Sequence, residues 1–158
     1  MHYANYIYST RMEVSQMRSC LDSLMVVQKR YYSTLEKIVA QHNLTIAEWQ
    51  LLLKVIDGNQ TQEKLARLTS LNVSTLSRQL ARLVAKEFVS RFAGEETNRH
   101  GGRKKYNYVE TNKGKTVVKQ LQQDIKKFAD NLFQHWSVDE LSMLQILLNR
   151  LDRSMERL

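Results

Sequence analysis

Between Gln62 and Leu83 the chain reads QEKLARLTSLNVSTLSRQLARL, a pattern that fits two short helices crossing at a tight turn. Leu65 and Ala66 fall on the inner face of the first helix, and the small Ala66 lets the second cross closely. Leu71, Leu76 and Leu80 have the spacing to fill that crossing. Thr61 and Asn72 are the N-cap residues that open the two helices. The outer face of the second helix carries Ser74, Ser77, Arg78 and Arg82. Directly afterwards the period changes to two. Phe88-Val89-Ser90-Arg91-Phe92 and Lys105-Tyr106-Asn107-Tyr108-Val109 both alternate, around a polar, glycine-marked loop from Ala93 to Arg103, which predicts a β-hairpin with a long tip.

The rest of the chain is helical in pattern. From about Glu13 to Gln41, Met17, Leu21, Leu24, Tyr31, Leu35 and Ile38 recur at three- and four-residue spacing, widened by Met25, Tyr32 and Val39. Thr45 and Glu48 have the capping-box spacing for a helix through Ile56, and Asp57-Gly58-Asn59 stops it. Thr111 caps a long helix carrying Val117, Leu121, Ile125, Phe128 and Leu132. Ser137, with Glu140 three residues on, caps a last helix with Leu141, Leu144, Leu148 and Leu151. Across 158 residues there is no proline and there are five glycines, so little interrupts these helices. The expectation is a single, mainly α domain over 1–158 with one small β-hairpin.

The net charge of +8 suits a polyanionic partner. Short hydroxyls at the start of a helix let it sit deep in the major groove of double-stranded DNA, and longer cations then reach guanine edges or phosphates. Free N–H groups of the helices opened by Thr61 and Asn72 can also bind phosphate. A plain helical hairpin with a solvated basic face has the same appearance in isolation. The cations of the second β-run and its loop separate the two. Arg99, Arg103, Lys104 and Lys105 place positive charge where a hairpin can reach the flanking minor groove. The candidate DNA contacts are therefore Thr61, Asn72, Ser74, Thr75, Ser77, Arg78, Arg82, Arg99, Arg103, Lys104 and Lys105.

Taken in order, several short signals resemble the MarR (multiple antibiotic resistance regulator) family. They are Leu44-Thr45 with Trp49 and Leu52, Thr61-Gln62-Glu63-Lys64-Leu65-Ala66, Ser74-Thr75-Leu76-Ser77-Arg78 with Arg82-Leu83, and Thr111-Asn112-Lys113-Gly114. The resemblance covers almost the whole chain. It implies a winged helix-turn-helix, with its DNA-binding lobe at about 44–110, flanked by N- and C-terminal dimerisation helices at about 13–41 and 111–157. It further implies a regulator, most often a repressor, acting as a homodimer on a pseudo-palindromic operator and relieved in many members by small anionic phenolics, oxidants or metals. The apolar stripes on the outer helices are wider than one small core needs. Met17, Leu21, Leu24, Phe128, Leu132, Trp136, Leu144, Leu148 and Leu151 are the expected dimer contacts.

Three departures from the family pattern carry expectations. Ser70 stands where a turn glycine is usual, so the turn is expected to differ. Glu87 replaces the glycine that usually follows the recognition helix, so that helix is expected to run on. The stretch from Arg91 to Thr111 is longer than usual and lacks a recognisable aspartate-x-arginine motif. Glu95 or Glu96 with Arg99 or Arg103 would stand in for it, and the sequence does not choose which arginine enters the minor groove.

Other functions find less support. There is no Gly-rich phosphate loop, no metal-ligand cluster and no nucleophile with a base, so neither an enzyme nor a cofactor is expected. His42, His100 and His135 lack ligand spacing, and no metal site is expected. Cys20 excludes an internal disulfide. The family's peroxide sensors carry a cysteine in this region, but Ile46-Ala47-Glu48-Trp49 lacks their accompanying tyrosine, so Cys20 is expected to be buried or inert. No run approaches the length of a membrane span, and Met1 to Glu13 is no signal peptide, which makes the cytoplasm the expected compartment. The alternative is a winged-helix module that binds protein or RNA. A protein partner would call for an acidic or apolar recognition face, and RNA for exposed aromatics, for which Tyr106 and Tyr108 are the candidates.

Overall fold

The computed structural model of the chain describes residues 3–58, 60–94 and 106–158, with side chains from Ser19 onward. The order is α1 (Tyr3–Gln41), α2 (Ile46–Ile56), α3 (Gln62–Thr69), α4 (Val73–Ala85), β1 (Val89–Ala93), β2 (Tyr106–Glu110), α5 (Asn112–Leu132) and α6 (Val138–Met155). The chain divides into two compact units, Met1–Leu121 and Gln122–Leu158. Among the described residues, no helix is long and apolar enough to cross a membrane.

The core of the first unit is built by α1 to α5. Leu51, Leu52 and Val55 of α2, Leu65 of α3, Leu76, Leu80 and Leu83 of α4, and Leu121 of α5 are fully buried or nearly so. Among its described side chains, the first helix reaches this core through its last turns, where Leu35 and Val39 are buried. It is already helical at Tyr3, ahead of the expected start near Glu13, since no glycine or proline before Gly58 interrupts it.

The caps fall where the sequence places them. Thr45 Oγ1 accepts from the Glu48 N–H at 3.2 Å, while Glu48 Oε2 accepts from the Thr45 N–H at 2.9 Å. The same Glu48 oxygen accepts from Lys86 Nζ at 2.8 Å, which ties the start of α2 to the end of α4. Glu48 is buried. Burial raises its pKa, but hydrogen bonds from Lys86 and Thr45 and the Lys86 charge together hold it below its ordinary value. Gly58, at φ 86°, closes the turn after α2.

Two expectations about the turns fail. Ser70 adopts the left-handed conformation at φ 53°, so the turn keeps the shape a glycine would take. Glu87 does likewise at φ 62°, so α4 stops at Ala85 and does not run on. The joint is held from outside. Thr111 Oγ1 donates to the Glu87 carbonyl at 2.7 Å, and Lys113 Nζ meets the Glu87 carboxylate at 2.7 Å.

The two strands pair antiparallel, with Val89 opposite Glu110, Arg91 opposite Tyr108 and Ala93 opposite Tyr106. β1 begins at Val89, one residue later than its alternation suggests, with Phe88 buried ahead of it. Thr61 bridges Asn107, and the Tyr108 N–H donates to the Gln60 carbonyl at 2.8 Å, so the wing is stitched to the entry of α3.

In the second unit the end of α5 turns at Phe133–Trp136, whose rings meet edge to face at 5.4 Å. Ser137 and Glu140 form the second capping box. No residue of α6 is buried.

Candidate nucleic-acid interface

An α-helix advances about 100° per residue, and this sorts α4 into faces. Leu76, Leu80 and Leu83 point into the core. Ser74, Arg78, Ala81 and Ala85 form the outermost ridge, all exposed. Ser77 lies on the side toward the wing, and Thr75 and Arg82 lie on the other. Arg78 and Arg82 are exposed, and neither forms an ion pair with a described residue. Two guanidinium groups therefore remain available on a helix otherwise lined with small side chains.

The caps position this helix. Asn72 Oδ1 accepts from the Thr75 N–H and from the Ser74 hydroxyl, both at 2.8 Å. Its side chain therefore braces the helix start rather than reaching outward. Thr61 Oγ1 accepts from the Lys64 N–H at 3.3 Å in the same way. Thr75 is half-buried, which leaves Ser74 and Ser77 as the hydroxyl-bearing residues most open to a ligand. Val73, 55% exposed at the first position of α4, adds an apolar side chain to this surface that sequence reasoning missed.

Beside α4, the wing contributes Arg91. Together with Tyr108 it faces Ser77, Ala81, Val84 and Ala85 across a groove of about 250 Å³. Arg91 Cζ stands 5.0 Å from the centre of the Tyr106 ring. Arg91 was hidden from the sequence as one polar position of an alternating strand, and only the register reveals what it faces. Tyr108 is buried, and burial raises its pKa against the opposing pull of the Arg91 charge. An RNA-stacking surface that uses both Tyr106 and Tyr108 is thus not available. Arg99, Arg103, Lys104 and Lys105, with Glu95, Glu96 and His100, lie outside the described residues.

Leu21, Leu132, Trp136, Leu148 and Leu151 are exposed, and Leu24, Phe128 and Leu144 are half-buried. The Met17 side chain lies outside the described residues. Further exposed apolar residues extend these faces: Met25, Val26 and Val27 on α1, and Met143, Ile146 and Leu147 on α6. Cys20 is exposed on α1, so of the expectation that it is buried or inert, burial does not hold.

Comparison with known proteins agrees with this geometry. The model of the MarR family matches residues 44–100. An HTH-type transcriptional regulator of Bacillus subtilis (strain 168), YxaD, is 33% identical over 106 residues, which cover 66% of this chain and 71% of the relative. A MarR from Staphylococcus aureus, in complex with salicylate and kanamycin, superposes with a TM-score of 0.73 at 15% identity, covering 90% of this chain and 94% of that one. A mutant MarR from Escherichia coli, complexed with operator DNA, gives a TM-score of 0.64 at 20% identity, covering 86% and 95%.

Proposed function

The chain belongs to the MarR family of transcriptional regulators, and on that premise we propose that it binds a pseudo-palindromic operator in double-stranded DNA as a homodimer and represses the adjacent genes. The observation that carries the reading is the outer surface of α4, where Ser74, Ser77, Arg78 and Arg82 are exposed and Ser77 faces Arg91 of the wing. Serine hydroxyls allow close entry into the major groove, and arginines supply bidentate contacts to guanine or phosphate. The DNA-binding lobe is 44–110, with Arg99, Arg103, Lys104 and Lys105 extending it into the minor groove. A DNA partner implies the cytoplasm as the compartment.

A second copy of the chain supplies the other half-site. Helices 13–41 and 111–157 carry apolar side chains that a single chain leaves in water, and α6 has none buried. Their mutual burial would give two recognition helices about one DNA turn apart. Relief by a small ligand or an oxidant is the control proposed for the repressor. It is supported by the salicylate and kanamycin bound to the Staphylococcus aureus neighbour.

The test is selection from a random duplex pool followed by fluorescence anisotropy in a salt series. Enrichment of a pseudo-palindrome bound at least about a thousandfold tighter than scrambled duplex supports the reading. Weak binding to every duplex, with no enriched motif, would sink it and turn attention to RNA or a protein partner.

A further inference from the structure

Arg91 and Tyr106 lie on the same face of the wing, on neighbouring strands. Arg91 is opposite Tyr108 in the register, so Tyr106 is its diagonal neighbour, within reach of a long side chain. The guanidinium carbon stands 5.0 Å from the ring centre. Arg91 is exposed and forms no ion pair with a described residue. Across the groove from it are Ser77, Ala81, Val84 and Ala85, side chains too short to cover a guanidinium. The charge is therefore open to a ligand that passes between α4 and the wing.

We propose that Tyr106 is a positioning residue that holds the Arg91 guanidinium at the groove between α4 and the wing, where Arg91 takes one backbone phosphate of the bound DNA. The proposal rests on the DNA-binding reading and deepens it. An unrestrained arginine must lose rotamer freedom on binding, and that loss offsets part of the ion-pair gain. A guanidinium already resting against a ring has lost part of that freedom before DNA arrives. Phosphate rather than a base edge is the partner because Arg91 faces Ala81 and Ala85, toward the C-terminal end of α4, and not Ser74 at the helix start. There it flanks the helix that enters the groove, and flanking cations meet the backbone. The planar fork also matches phosphate oxygens two at a time.

The test uses the full-length protein and the duplex it selects, by anisotropy over a salt series, with thermal melts of every variant. Arg91→Ala is expected to weaken binding about tenfold or more and to lower the salt slope by about one. Arg91→Lys should keep the slope yet bind several-fold more weakly, since it keeps the charge and loses the flat fork. Tyr106→Phe should bind like wild type, whereas Tyr106→Leu should lose roughly two- to fivefold. In the Arg91→Ala background, Tyr106→Leu should cost nothing further. A merely structural Tyr106 would lower affinity equally in both backgrounds, and that result overturns the proposal. So does an Arg91→Ala variant that binds the selected duplex as wild type does, which leaves the DNA-binding reading intact. A wild type that selects no duplex overturns that reading and this inference with it. Should Tyr106→Leu fail to fold, Arg91→Ala against Arg91→Lys still decides the phosphate contact, and Tyr106→Phe against Tyr106→Met decides the ring.

Discussion

Replacing Gly114 by alanine isolates the contact that fixes where the wing begins. In an ordinary helix interior this exchange stabilises by about 1 kcal/mol. Here a Cβ would fall onto the Phe88 carbonyl oxygen, well inside van der Waals contact, and 3.1 Å from the carbonyl carbon. That oxygen is not free to retreat. It accepts from the Thr111 N–H at 3.1 Å, and the Thr111 hydroxyl, whose single proton goes to the Glu87 carbonyl at 2.7 Å, lies 3.2 Å away. Moving it puts the N–H bond at risk, worth about 1 kcal/mol, and overpacking adds about 1–3 kcal/mol. Subtracting the propensity gain leaves a destabilisation of about 1–3 kcal/mol. Urea denaturation followed by circular dichroism, at fixed protein concentration, measures it. Gly58→Ala is the control for backbone strain without a clash, because Gly58 has φ 86° and nothing within 4 Å of its Cβ position. A Gly114→Ala protein as stable as wild type would refute the reasoning, since it would mean that the joint between α4 and β1 yields at no cost.

Four further outcomes are expected. Glu48→Gln removes the buried charge paired with Lys86 and should lower stability at pH 7 by about 1–2 kcal/mol. Because the folded pKa of Glu48 lies below its ordinary 4.5, the wild-type advantage is present above pH 4.5 and is lost as pH falls through the lower folded value; a gap that widens on acidification would contradict the ion-pair assignment. Ser70→Gly should raise stability by about 0.5–1 kcal/mol in the same urea assay, because relief of the left-handed strain exceeds the entropic cost of glycine; Glu87→Gly should gain less, as it also loses the Lys113 contact. Leu148→Glu, at a position 48% exposed in the single chain, should leave helicity intact but sediment as a monomer, and a wild type already monomeric at micromolar concentration would remove the basis for this prediction. Arg78→Ala should blur sequence preference in the selection assay, whereas Arg103→Ala should weaken all duplexes alike and lower the salt slope.

Most of the fold was legible because each boundary is set by a residue acting on its own neighbours. Thr45 with Glu48, Thr61, Asn72 and Ser137 each satisfy N–H groups within one turn, so a local reading suffices. Failures arose where a distant contact outweighs local preference. A left-handed conformation costs an L-residue about 1–2 kcal/mol, enough to suggest that Glu87 would continue the helix. Thr111 and Lys113 hold it from 24 and 26 positions further along the chain, and nothing near Glu87 announces them. The Thr111-Asn112-Lys113-Gly114 motif was visible as a family signal. Its physical content emerges only in three dimensions: the threonine caps α5 and clasps Glu87, the lysine pairs with Glu87, and the glycine admits the Phe88 carbonyl.

The candidate interface follows the same division. Ser74, Ser77, Arg78 and Arg82 could be assigned to the outer face of α4 because helical periodicity fixes direction once the buried leucines are known. Arg91 could not, because a strand's two faces are equivalent until its partner and register are set. Pairing Arg91 with Tyr108 turns it toward α4 and brings the Tyr106 ring beneath it. The recognition helix and the wing therefore differ in what holds them in place. The helix is oriented by its own caps and core leucines. The wing arginine is oriented by the Phe88–Thr111 joint that sets the strands and by one aromatic neighbour. A substitution at Gly114 or Tyr106, neither of which needs to touch DNA, is thus expected to act on affinity through Arg91, while the base preference proposed for α4 stays as it is.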